Sequence, residues 1–194
     1  MNLILASQSP RRQQLLEQMG LTFTVKIADI DETMTPGRPP QEQVAEVSAR
    51  KAAAVAATCR KDDVIIAADT IVVVDDTILG KPENEDAAKN MLRMLSGRTH
   101  RVMTGVTVRR GDDAVSHTEI TEIRFRDLSD KEIDAYVATG DPMDKAGSYG
   151  IQNGAAVFVS GMHGDYFNVM GLPLCSLTLL LRRFGVAVLE ENTP

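Results

Sequence analysis

Five apolar residues run without alternation from Val64 to Ala68, stop at Asp69 and Thr70, and resume at once over Ile71 to Val74. Such a run predicts a strand buried on both faces. The two polar residues inside it are either a bulge or bend, with Asp69 bonding its own backbone, or an acid at the end of a core strand, where open α/β sheets place their chemistry. Leu3 to Ala6 reads as a short buried strand, and the alternation from Leu21 to Ile27 as a second. Between them Ser9 and Pro10 open a helix that buries Leu15, Leu16 and Met19 and stops at Gly20. Gln41 to Thr58 reads as a long helix with Val44, Val47, Ala54, Val55 and the small Ser48 along one face. Asp75-Asp76 marks a turn, Ile78-Leu79 returns, and Lys81 is held in a fixed turn between Gly80 and Pro82. Asn84 caps a helix with a buried stripe of Ala88, Met91, Leu92 and Leu95.

Thr99 to Arg109 and Ala114 to Phe125 flank a Gly111-Asp112-Asp113 turn and predict an antiparallel hairpin. Ser129 caps a short helix to Ala138, and a loop with three glycines follows. Ala155 to Ser160 and Tyr166 to Met170 read as two closing strands. Leu172 to Phe184 is a last helix with Leu174, Leu177, Leu181 and Phe184 facing the core. Pro36 to Pro40 reads as a linker and Glu190 to Pro194 as a frayed tail. Alternating strands and helices followed by a hairpin predict an α/β fold, a mixed β-sheet flanked by helices in two lobes. The 194 residues suffice for one such domain.

Composition narrows the function. With no Trp and 4% aromatic residues the chain lacks stacking platforms for single-stranded nucleic acid, and a net charge of −6 does not grip duplex backbone. No nucleic-acid partner is expected. Cys59 and Cys175 form no C-x-x-C and read as small core thiols of a reducing compartment. His100, His117 and His163 lack zinc spacing. No segment has the length to span a membrane, and the first apolar run is too short for a signal peptide, so a cytoplasmic protein is expected.

Several polar residues stand where pattern alone does not put them. Arg11 and Arg12 occupy the first turn of a helix, whose dipole disfavours cations. They are either solvated surface arginines or, with Ser7 and Ser9 crowding the same loop, an anion site. Asp29, Asp31 and Glu32 cluster as a solvated acidic loop or as ligands of a divalent cation. Lys51 follows Val44 by seven residues and Val47 by four, so it lies on their apolar face. It either snorkels outward or points its charge into a cleft. With Lys81, Asp144, Lys145 and Gln152, these residues hold cations for a polyphosphate and acids for a metal, without the Walker motif G-x-x-x-x-G-K-[ST].

Taken together, S-Q-S-P-R-R, D-E-T at 31–33, A-A-D-T at 67–70, G-K-P at 80–82, L-S-G-R-T-H at 95–100, D-K-A-G-S-Y-G-I-Q at 144–152 and N-V-M-G-L-P-L at 168–174 resemble the Maf family. The motifs run in family order from end to end, as one Maf-like domain over 1–194. The resemblance implies a nucleoside triphosphate pyrophosphatase that cuts between the α- and β-phosphates. It also implies a divalent cation (Mg²⁺ or Mn²⁺), a cytoplasmic homodimer, and an elongated sheet with the site in a cleft between lobes, like the inosine triphosphate pyrophosphatases. By motif match Asp69 is the proton acceptor or a metal ligand, with Glu32 beside it; Lys51 and Lys81 complete the polar site. Arg12, Thr70 and Gln152 fall where the family selects its base, and Ser7, Ser9, Arg11, Asp144 and Lys145 stand with the substrate. The I-Q after Y-G resembles the branch that hydrolyses dTTP and UTP. That branch usually has Gly next, where this chain has Asn153, a residue that tolerates a left-handed backbone. The alternatives are a non-catalytic nucleotide-binding regulator of septum formation, or the same enzyme with another base preference.

Overall fold

The structure, a computed structural model, describes residues 1–35 and 37–189. The expected tail at Glu190 to Pro194, and Pro36 of the expected linker, lie outside them. Among the described residues the strands form one seven-stranded mixed sheet. In chain order they are β1 (Leu3–Leu5), β2 (Thr24–Val25), β3 (Val64–Val74), β4 (Thr77–Leu79), β5 (Thr99–Arg110), β6 (Asp113–Phe125) and β7 (Val159–His163). The sheet order is β2-β1-β3-β5-β6-β7, with β4 paired to β3. β1 runs parallel to β2 and β3, while β4 and β7 are antiparallel to their neighbours. The helices are α1 (Pro10–Gln18), α2 (Pro40–Ala56), α3 (Glu85–Leu95), α4 (Asp130–Val137), α5 (Tyr166–Met170) and α6 (Leu174–Arg183).

The chain divides into two compact units. The first holds residues 1–69, 104–119 and 171 onward; the second holds 70–103 and 120–170. In the first unit Ile4, Ala6, Ala52, Val55, Ile65 and Ala67 form an apolar cluster that seats α2 against β1 and β3. α2 also meets β5 closely. A Cβ on Gly105 would come within 2.5 Å of the Val44 carbonyl oxygen, and Ser48 Oγ lies 2.7 Å from Thr107 Oγ1. These small residues fix the height and rotation of α2. In the second unit α3 and α4 pack on an apolar cluster that includes Val72, Leu92, Ile123, Phe125, Ile133, Tyr149 and Phe158. α4 opens with a capping box between Ser129 and Glu132, and Asn84 Oδ1 accepts from Ala87 N to cap α3.

The patterns misplace some elements. β2 covers two residues, not seven, because its partner β1 is three residues long and only Ile4 and Leu5 find a register partner. Tyr166–Met170 is a helix rather than a strand: Asp165 Oδ1 accepts from Phe167 N and opens it. Gly154–Phe158 is a 3₁₀ turn, so the preceding closing strand begins only at Val159. Ala52, rather than Ala54, lines the buried face of α2, and Met19 and Leu174 are half-buried. Neither thiol is a core residue, since Cys59 is half-buried and Cys175 exposed. Lys81 stands in an irregular segment rather than a turn.

Candidate active site

β3 runs unbroken through Asp69 and Thr70, with apolar residues buried on either side and these two half-buried. The bend reading therefore does not apply. Asp69 ends the part of β3 that belongs to the first unit. One α2 side chain reaches it: Lys51, on the same buried face as Val44 and Val47. Lys51 Nζ donates to Asp69 Oδ1 at 2.7 Å and lies 3.0 Å from Glu32 Oε2. The Lys51 side chain is 9% exposed, so it does not snorkel; it spends its charge between two acids. The Asp69 side chain makes no other hydrogen bond among the described residues, which leaves its Oδ2 available.

Glu32 is delivered by a loop that the neighbouring residue of α2 ties down. Arg50 donates from one terminal nitrogen to the Asp31 carbonyl oxygen (2.7 Å) and from the other to that of Thr33 (2.9 Å). Asp31 turns back on the same loop, accepting from Thr33 N at 2.8 Å and Thr33 Oγ1 at 2.5 Å, and these bonds hold its carboxyl below its ordinary pKa. Asp29 is exposed. The three acids of this loop thus go separate ways, and among the described residues no group of three His, Cys, Asp or Glu side chains is arranged to hold a metal. Glu32 and Asp69 are the pair brought to one point, and carboxylate oxygen is the donor type that hard divalent cations take.

Arg12 completes this group. It is buried in the first turn of α1, donating from Nε to the Gly171 carbonyl oxygen at 2.7 Å and from a terminal nitrogen to Ser7 Oγ at 3.2 Å. Burial lowers its pKa, opposed by the charge of Asp69; Arg11 lowers it further and Glu32 opposes. Arg12 therefore feels the charges of Asp69, Arg11 and Glu32. Ser7 Oγ also accepts from Ser9 N at 3.2 Å. Ser9 occupies the N-cap position, but its side chain makes no cap bond. Ser7, Ser9, Arg11, Arg12, Glu32, Lys51 and Asp69 all belong to the first unit.

Thr70, Lys81, Asp144, Lys145 and Gln152 belong to the second. Lys81 is exposed beside Gly80, whose carbonyl oxygen accepts from Gly147 N at 3.0 Å. Lys145 is buried, and its ammonium donates to the Asp141 carbonyl oxygen (2.6 Å), Asp141 Oδ1 (3.0 Å) and Asp144 Oδ1 (2.7 Å). Gln152 is exposed, and its side chain makes no hydrogen bond among the described residues. Asn153 has φ −110°, so the backbone here asks for neither glycine nor a left-handed residue. Upstream, Tyr149 OH lies 2.8 Å from Nε2 of His100, a buried ring whose pKa burial lowers to about 4.

Sequence reasoning gave no role in the site to Arg50, Gly171, Asp141 or His100. Arg50 directly precedes Lys51, but its partners lie 17 and 19 residues away across a loop, and no local spacing signals that. Gly171 acts through a carbonyl, which any residue carries.

Known proteins resemble this chain over nearly its whole length. The profile of the family described as Maf-like protein matches residues 2–184. A Moorella thermoacetica protein named dTTP/UTP pyrophosphatase is 50% identical over 189 residues, covering 96% of each chain. A Bacillus cereus protein of the same name is 46% identical over 186 residues, covering 96% of this chain and 97% of its own. Among solved structures, the Staphylococcus aureus Ham1 protein aligns over 64% of this chain and 72% of its own, with 14% identity and a TM-score of 0.45. No described helix is long and apolar enough to cross a membrane. A profile that spans residues 2–184, and identities near one half over full length, leave a plain conclusion: the chain belongs to the Maf family.

Proposed function

We propose that the chain hydrolyses dTTP and UTP to the nucleoside monophosphate and pyrophosphate. The observation that carries this is the Lys51 ammonium held between Asp69 and Glu32, in a chain half-identical to proteins named for that reaction. Hydrolysis breaks the anhydride between the α- and β-phosphates with one water. Asp69, rigid on a core strand and with Oδ2 uncommitted, accepts the proton of that water. Lys51 and the buried Arg12 bind phosphate oxygens and spread the negative charge that grows on them as the bond breaks. Arg11, Ser7 and Ser9 add donors at the start of α1, where backbone N–H groups already favour anions. Lys81 supplies a further cation. Thr70, Gln152 and Arg12 read the base; a hydrogen-bonding site rejects a wrong base by leaving polar groups unpaired.

Glu32 and Asp69 would hold a divalent cation, Mg²⁺ or Mn²⁺, with phosphate oxygens and water filling its other positions. When bound it supplies charge neutralisation of the triphosphate and acidifies water. The chain works as one domain in a cytoplasmic homodimer. The end-to-end profile match supports the single domain, and two free cysteines fit a reducing compartment.

The test is pyrophosphate release from a panel of nucleoside triphosphates, with Mg²⁺ or Mn²⁺ and with chelator. Metal-dependent release from dTTP and UTP, with monophosphate as the other product and none from Asp69→Asn, is expected. Turnover by Asp69→Asn would refute its role. Tight binding without turnover would favour the regulator reading. Light scattering after gel filtration tests the dimer.

A further inference from the structure

The segment after α4 folds around one carboxylate that the proposed reaction does not use. Asp141 Oδ1 accepts from Lys145 Nζ at 3.0 Å and from Asn153 Nδ2 at 2.6 Å. Its Oδ2 accepts from Tyr136 OH at 2.6 Å, and that hydroxyl in turn accepts from Gly150 N at 3.2 Å. Lys145 has its three N–H donors matched by three oxygens of Asp141 and Asp144. Its stem crosses Gly150 so closely that a Cβ there would sit 2.6 Å from Lys145 Cε. Three points of the segment, Lys145, Gly150 and Asn153, are therefore pinned to the Asp141–Tyr136 pair. The carboxyl stays below its ordinary pKa: burial raises it, but the bonds from Tyr136, Asn153 and Lys145 outweigh that.

Gln152 lies between two of these pins, exposed and with its amide uncommitted. A side-chain amide carries both donors and an acceptor, so a loosely held one matches many base edges equally well. Discrimination requires that it be presented in one place. We infer that Asp141 is a positioning residue for base recognition, acting through its bond from Asn153 to fix where Gln152 stands. Lys145 serves the same scaffold, since its ammonium is saturated inside the loop and has no donor left for phosphate. The inference rests on the reading of Gln152 as a base-reading residue. It adds Asp141 and Asn153, and it turns the departure at Asn153 into a device rather than a defect.

The experiment is a double-mutant cycle between Asn153→Gly and Gln152→Ala, read as kcat and KM on dTTP, UTP, dCTP and GTP. Asn153→Gly changes one exposed side chain and leaves the core intact. It is expected to raise KM for dTTP and UTP roughly three- to tenfold, the worth of one solvent-exposed hydrogen bond, with kcat within about twofold. The preference for dTTP over dCTP falls by the same factor. In the Gln152→Ala background, Asn153→Gly adds nothing to that loss. Asn153→Asp sets a second carboxylate against Asp141 and is expected to exceed Asn153→Gly in effect. Asp141→Asn lowers selectivity in the wild-type background and leaves Gln152→Ala selectivity unchanged. Wild-type selectivity in Asn153→Gly, or losses that add in full to those of Gln152→Ala, would overturn the inference while leaving the pyrophosphatase reading intact. Absence of turnover of every nucleotide by the unmutated chain would overturn both.

Discussion

Replacing Lys51 by Met removes the charge that joins α2, β3 and the acidic loop while keeping the apolar stem that packs in the helix face. The magnitude follows from how deep each partner lies. Glu32 is 56% exposed, so water recovers most of what its carboxylate loses, and that half of the bridge is worth about 0–1 kcal/mol. The Asp69 side chain is 13% exposed, and the 2.7 Å bond from Lys51 is the hydrogen bond of its carboxylate among the described residues, so stranding that carboxylate costs about 1.5–3 kcal/mol. A total near 2 kcal/mol corresponds to a fall in Tm of roughly 4–8 °C for a chain of this size. The double variant Lys51→Met/Asp69→Asn removes both charges and is expected to regain most of that loss. Activity behaves differently: pyrophosphate release falls at least about a hundredfold in Lys51→Met and is not regained in the double variant, because neither the cation nor the proton acceptor returns. Thermal unfolding and pyrophosphate release on the four proteins of the cycle measure both. A double variant no more stable than Lys51→Met, or Lys51→Met with wild-type turnover, would refute the argument.

Two further outcomes are expected. His100 titrates at about 4 when folded against about 6.5 when unfolded, so between these values the unfolded chain binds the extra proton. Its contribution is complete above pH 6.5 and is lost as pH falls toward 4, by about 3 kcal/mol in all. Urea unfolding at pH 7.5 and 5 should show a shallower decline in His100→Gln than in the unmutated chain. Gly105→Ala drives a Cβ to 2.5 Å from the Val44 carbonyl oxygen, which cannot move without α2; it should cost about 2 kcal/mol or more and, by displacing Lys51, reduce turnover as well. A Gly105→Ala protein with unchanged Tm would show that α2 is not held as described.

The part of the site legible in the sequence is the part that periodicity encodes. The interrupted apolar run from Val64 to Val74 marked Asp69, and the helical spacing from Val44 and Val47 put Lys51 on a buried face. The pairing of Lys51 with Asp69 was not encoded locally, because it depends on the register of two distant elements seated by Gly105 and Ser48. Tyr166–Met170 misled because aromatic and β-branched residues imitate a strand over five positions, although Asp165 carried the cap signal that contradicts it. Asp141 escaped for another reason. Its partners are four to twelve residues away in an aperiodic segment, where no face or stripe distinguishes a hub from a solvated acid.

Charge balance among the proposed site residues of the first unit bears on the proposed divalent cation. Arg11, Arg12 and Lys51 bring three positive charges and Glu32 and Asp69 two negative ones, a net of one positive charge. A triphosphate carries several negative charges, and even with the proposed Lys81 counted a net of two positive charges holds it poorly while both acids stay ionised. Protonating Asp69 would relieve the imbalance but remove the proton acceptor. Removing Glu32 would relieve it and release Lys51 toward phosphate at the same time. Were a divalent cation to enter with the triphosphate, Glu32 and Asp69 would hold it and Lys51 would be freed from both, which would relieve the imbalance without either loss. On this argument Glu32→Gln should still bind nucleotide when chelator is present, and bind it more tightly than the unmutated chain does, yet turn it over slowly when metal is supplied. Titration calorimetry with dTTP in chelator, set beside pyrophosphate release in Mg²⁺, separates the two effects. Equal affinity of both proteins in chelator would show that Glu32 does not govern the charge of the site.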